Sequence, residues 1–178
     1  MVKAGILNLL KGGDRRSTGQ SDRVVAMVGK NPSLLPDLIA GIWSDDPLVR
    51  MRAADAAEKV TRRIPELLIP YADELLGLMQ EATEKELRWH LAAMAPRLAN
   101  TRRRRRLAWQ YLSAYLNDRS SIVRTFALQG MTELAMQDET LREEIIQVLE
   151  HALRTGSAAI KARSRKLLKE LEPMSSSR

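Results

Sequence analysis

Five consecutive arginines, Arg102, Arg103, Arg104, Arg105 and Arg106, are the most conspicuous side chains that could do chemistry, set between Thr101 and Leu107-Ala108-Trp109. At the start of a helix they oppose a dipole whose N-terminal end already carries about half a positive charge, so neither propensity nor capping accounts for them. One reading makes them a docking patch for phosphate or an acidic protein, extended by Arg97. The other makes them a solvated helix face paired with Glu66, Asp73 or Glu74 upstream. Sequence alone leaves both open.

Signals for catalysis are thin. His90 and His151 are far apart, with no second imidazole near either in sequence, so a metal site is not expected. Gly12-Gly13-Asp14 lacks the pattern of a phosphate loop and reads as a helix stop, and no G-x-S-x-G elbow occurs. Glu143 and Glu144 are adjacent, which on a helix turns them to different faces and prevents an acid/base pair. The chain has no cysteine, which removes disulfides, thiolate catalysis and cysteine-ligated zinc together. We expect a non-enzymatic protein with no cofactor and no metal.

Twenty-nine Lys and Arg against 22 Asp and Glu leave a formal charge of +7. Such a balance favours a polyanionic or acidic partner, because a positive surface attracts anions over about 8 to 10 Å at ordinary ionic strength. No run of about 18 apolar residues exists to cross a membrane, and the first residues alternate too soon for a secretory signal, so a cytoplasmic protein is expected.

The elements that must position these side chains follow from a recurring apolar-then-basic pair. Val49-Arg50, Leu87-Arg88, Val123-Arg124 and Ile160-Lys161 return at steps of 38, 36 and 37 residues. Spacings of about 34 to 47 residues mark stacked helical repeats. Each pair opens a helix, and the positions four, eight and eleven residues on hold Ala53/Leu91/Ala127/Ser164, Ala57/Ala95/Met131/Leu168 and Val60/Leu98/Leu134/Leu171. These form one buried stripe of period 3.6. A leucine-rich outer helix precedes each inner one. Asp46 before Pro47 reads as a helix cap, and Thr83 with Glu86 has capping-box spacing. A shorter unit, with Ile6, Leu7, Leu9 and Leu10 and then Val24, Val25 and Val28, stands at the start. The expected fold is a single all-α, right-handed solenoid of about five helical hairpins, with units at about 1–32, 33–65, 66–100, 101–137 and 138–172, then a disordered tail at 173–178.

The stretch Ser44-Asp-Asp-Pro-Leu-Val-Arg-Met-Arg-Ala-Ala-Asp-Ala-Ala resembles the inner-helix signature of HEAT repeats, and Asp118-Arg-Ser-Ser-Ile-Val-Arg-Thr-Phe-Ala resembles it too. The resemblance covers about residues 14–171. It implies a scaffold, adaptor or transport role, or in some members DNA repair. It also implies a structural ladder of turn acids and inner-helix cations between neighbouring units, placed here at Asp46 and Arg50, Arg88, Asp118 and Arg124, and Lys161. In the repair branch a catalytic acid follows a concave tryptophan by one turn, whereas Trp89 is followed by Ala93 and Trp109 by Ser113. Base excision is therefore not expected.

Opposite the buried stripe, the inner helices would line a concave face. Arg52, Lys59, His90, Arg97, Phe126, Arg163 and Lys166 are the candidate partner-binding residues there, with the five arginines as a candidate anion site. The expectation is a scaffold that binds a protein partner through this face. The alternative is a module for duplex DNA that uses the same basic residues. Trp43, Trp89 and Trp109 read as packing residues of the core or between units.

Overall fold

The computed structural model describes residues 5–14, 17 and 19–172; the tail expected at 173–178 lies outside them. Among the described residues are ten α-helices and no strand. They are α1 (Gly5–Asn8), α2 (Ser21–Lys30), α3 (Leu35–Ala40), α4 (Pro47–Arg63), α5 (Ala72–Glu81), α6 (Lys85–Leu98), α7 (Arg102–Tyr115), α8 (Ser121–Gln137), α9 (Arg142–Thr155) and α10 (Ala158–Leu171). Short 3-10 turns at Pro32–Leu34, Gly41–Trp43, Pro65–Tyr71 and Glu139–Leu141 join several of them. The chain is all-α. Among the described residues no helix is long and apolar enough to cross a membrane.

Local chemistry sets the helix starts. The Asp46 carboxylate accepts the Leu48 N–H at 2.8 Å, and Pro47 occupies the first position, where an N–H would have no helical partner. Thr101 caps α7 by accepting the Arg104 N–H at 3.2 Å, and Ser157 accepts from Ile160 ahead of α10. The capping box expected at Thr83 and Glu86 does not form. The cap position of α6 is Glu84, and its carboxylate is held by Arg50 of the preceding hairpin.

Packing follows the apolar stripe. Eleven of the twelve stripe residues are buried and Leu168 is half-buried. From α2 to α10, each even-numbered helix packs against the next even-numbered one, and α3, α5, α7 and α9 each pack against the even-numbered helix that follows. α5 also packs against α7. The most extensive helix pairing is between α6 and α8. Pro96 inside α6 has no N–H to offer the Ala92 carbonyl one turn back. Gly130 of α8 comes in there, and a Cβ at that position would stand 2.9 Å from the Ala92 oxygen.

Candidate functional site

The residues expected to line an exposed cationic face are bound to their neighbours instead. Arg52, on α4, is 1% exposed. Its guanidinium donates to the carbonyls of Leu10 at 2.7 Å, Gly12 at 2.6 Å, Asp14 at 3.0 Å and Ser17 at 3.1 Å. The loop after α1 wraps around it, and Gly12, Gly13 and Gly19 supply the positive φ values, 71°, 80° and 58°, that the wrapping requires. The Gly12-Gly13 helix stop thus also aims carbonyls at a buried cation. Arg52 is corrected from a surface cation to an internal anchor.

His90 is corrected in the same way. It is buried between α4 and α6, with Nδ1 2.6 Å from the Glu86 carbonyl and Nε2 3.5 Å from the Asp55 carboxylate. Asp55 in turn accepts from the Ser21 hydroxyl at 2.5 Å and pairs with Lys59, which also reaches Asp22 at 2.9 Å. Burial pushes the Asp55 carboxyl up, but contacts from His90, Ser21 and Lys59 outweigh it and hold the group far below the usual carboxylate range.

A second cluster centres on Glu58, which the sequence did not single out. Arg97 donates to its carboxylate at 2.7 Å, to its carbonyl at 2.9 Å, to Thr61 Oγ1 and to the Ala93 carbonyl; Arg62 donates to the same carboxylate at 2.5 Å. Burial again pushes this carboxyl up, and the two guanidiniums hold it below its ordinary value. Further along, Phe126 packs on Trp89 with ring centroids 4.9 Å apart, Arg163 donates to Gln129 at 2.8 Å, and Gln129 donates to Glu133. Lys166 is exposed beside Glu170 at 3.7 Å. Seven expected contact residues are thus mostly members of a polar seam joining each even-numbered helix to the next.

The ladder cations point forward along the chain. Arg50 grips Glu84 of the following hairpin with two hydrogen bonds, at 3.0 and 2.7 Å, and Arg88 pairs with Asp118 of the hairpin after that. Arg88 also lies over the Tyr115 ring, 4.1 Å from its centroid. Asp46 therefore caps its helix and does not answer Arg50, and Asp118 answers Arg88 and not Arg124. The Arg50–Glu84 rung is partly exposed and worth about 1 kcal/mol or less, whereas the Asp118 carboxylate of the next rung is almost buried.

The five arginines divide. Arg104 donates to Asp73 at 2.8 and 3.1 Å and to Asn100, while Arg105 reaches forward to Asp138 at 3.0 Å. Asp73 is the single acid of the three expected upstream partners that they engage; Glu66 and Glu74 take no part. Arg103 is exposed and only 3.4 Å from Asp73. Arg102 and Arg106 are exposed, and their side chains hold no hydrogen bond or ion pair among the described residues. These two, with Arg105, Trp109 and Asp138, wall a recess of about 190 Å³; with Arg103 and Leu107 they wall a shallower one on the other side. Trp109 is half-buried and donates from Nε1 to Glu144 at 3.2 Å, a contact between hairpins. Trp89 stacks on His90, whereas Trp43 is 44% exposed, which removes it from the core and leaves the other expected place, between units.

No family model matches the chain, and no curated protein matches it.

Proposed function

We propose that the chain is a right-handed, HEAT-like helical solenoid of about five hairpins that acts as a non-enzymatic scaffold for an acidic protein partner. Support for the architecture comes from the even-numbered helices packing in series and from the forward rungs Arg50 to Glu84 and Arg88 to Asp118. The partner docks on the exposed edge formed by Arg102, Arg103 and Arg106 beside Trp109. One observation carries this choice of surface: Lys59, Arg97 and Arg163 are spent on adjoining helices and Arg52 is buried, while Arg102 and Arg106 have no partner among the described residues. Holding unpaired cations at a helix N-terminus opposes the dipole, so a bound anion there removes an existing electrostatic cost.

Nucleic acid is the second reading, favoured by the same arginines standing around an aromatic ring. A gel shift titrated with salt separates the two. The protein reading expects no retardation of duplex or single-stranded DNA at low salt, and photo-crosslinking from position 110, exposed one turn beyond Arg106, to give a protein adduct that Arg102→Glu/Arg106→Glu abolishes. Retardation whose steep salt slope flattens in that variant overturns it in favour of nucleic acid.

A further inference from the structure

The forward ladder stops at Arg124. Arg50 finds Glu84 and Arg88 finds Asp118, but the turn ahead of α10, Thr155-Gly156-Ser157, contains no acid. The Arg124 side chain forms no hydrogen bond or ion pair among the described residues; its Nε is buried without a partner, as is that of Arg88, but Arg88 pairs through Nη1 with Asp118 and Arg124 has no such acid. A second loss coincides with the first. Tyr115, eight residues before Val123, covers Arg88 with its ring and donates its hydroxyl to the Met79 carbonyl at 2.7 Å. Eight residues before Ile160 the chain has Ala152, and at the register position of Asp118 it has Thr155. The aromatic and the acid that complete the Arg88 site are both missing one repeat later.

Their place is an open groove of about 560 Å³ between α7 and α9, over α8. Leu116, Leu128, Val148, Ala152 and Ile160 line it, together with Arg124. His151 and Glu144 also face it, and Glu144 is already engaged by the Trp109 indole N–H. The groove thus combines an apolar wall with an unsatisfied guanidinium, which is the Arg88 environment minus Tyr115 and Asp118.

We propose that this groove binds an acidic segment of a partner protein that carries an aromatic side chain three residues before a carboxylate, the Tyr-x-x-Asp spacing of residues 115–118. The ring fills the space over Ala152, and the carboxylate accepts from Arg124. Charge complementarity selects the occupant, because the half-buried Arg124 guanidinium, with no acid opposite it, gains from an ionised acceptor the contact that Arg88 has through Nη1 with Asp118. The site shares no residue with the Arg102, Arg103 and Arg106 edge and stands or falls apart from it.

The test titrates an end-capped peptide of residues 110–120 into the isotopically labelled full-length chain and follows amide shifts. Shifts are expected to cluster at Arg124, Ala152, Thr155 and Gly156. An Asp118→Asn peptide is expected to bind about tenfold more weakly, as loss of one charge-assisted hydrogen bond dictates, and Arg124→Gln protein should show the same loss. Ala152→Tyr/Thr155→Asp protein completes the position internally and should lose peptide binding while melting at a higher temperature; the same pair of changes on an Arg124→Gln background should gain less. The proposal is overturned by equal affinity for the two peptides, by shifts confined to α7, by no shift at millimolar peptide, or by an equal gain in melting temperature with and without Arg124.

Discussion

Replacing Arg52 by methionine keeps the length and apolar body of the side chain and removes its guanidinium from among the carbonyls of residues 10, 12, 14 and 17. Four carbonyls, those of Leu10, Gly12, Asp14 and Ser17, lose their donor at once. Hydrogen bonds from a charged donor are each worth about 1.5 to 3 kcal/mol, so simple addition gives about 6 to 12 kcal/mol. That sum is an upper bound, because the loop can peel from α4, rehydrate its carbonyls and recover about 1 kcal/mol of backbone entropy per released residue. The expected net loss is about 3 kcal/mol, the lower end of what breaking a buried charged contact costs. Arg52→Lys should lose about half as much, since an ammonium puts three donors on one point and cannot span four carbonyls fanned around a planar fork. Urea unfolding supplies the free energies. Hydrogen exchange supplies the location: amides of residues 7–14 should exchange faster in Arg52→Met, and those of α8 and α10 should not change. A surface cation would move stability by no more than about 0.5 kcal/mol. A loss below about 1 kcal/mol, or unchanged exchange in the loop, refutes the anchor.

Arg97→Met leaves the Glu58 carboxylate, 6% exposed, with only the largely exposed Arg62, and should cost about 3 kcal/mol; combined with Glu58→Gln the cost should fall at least about 1 kcal/mol short of the sum. Because the folded Glu58 carboxyl lies below its ordinary value of 4.5, its contribution is complete above that pH and is lost as pH falls through the lower folded value; without Arg97 the folded value rises, so urea midpoints should fall less on acidification in Arg97→Met than in the unsubstituted chain. Gly130→Ala should destabilise by about 1 to 3 kcal/mol, despite a helix-propensity gain of about 1 kcal/mol, because its Cβ would meet the Ala92 oxygen at 2.9 Å and Leu112 at 3.1 Å. A melting temperature equal to or above that of the unsubstituted chain would refute the close approach.

Much of the helical layout was legible because burial on a helix has a period. Val49, Ala53, Ala57 and Val60 repeat the spacing of Leu87, Leu91, Ala95 and Leu98, and all eight are buried. A helical period fixes the direction in which a side chain leaves its axis, not what the next helix presents to it. In sequence Arg52, Lys59 and Arg97 therefore look like a free face, because each meets a partner 37 to 42 residues away, across a helix boundary. Glu58 went unremarked for the same reason, since nothing in its immediate neighbours distinguishes a buried acid from a solvated one. The cap at Thr83 and Glu86 failed on a competing contact, because Glu84 serves Arg50.

Repeated positions carry two kinds of information, and they become visible at different stages. Where Arg50 and Arg88 recur, the repetition describes packing, and their acids are already in the chain. Arg124 obeys the same rule in sequence, yet the turn ahead of Ile160 holds no acid. What sequence could not supply was that Tyr115 belongs to the rung, because its ring reaches Arg88 from a different helix. Once aromatic and acid are recognised as one unit, the substitutions to Ala152 and Thr155 stop being two unrelated irregularities. They open a groove and leave Arg124 without an acid at the same point, so the functional signal in this chain lies in the difference between the Arg88 rung and its neighbour and not in the arginine common to both.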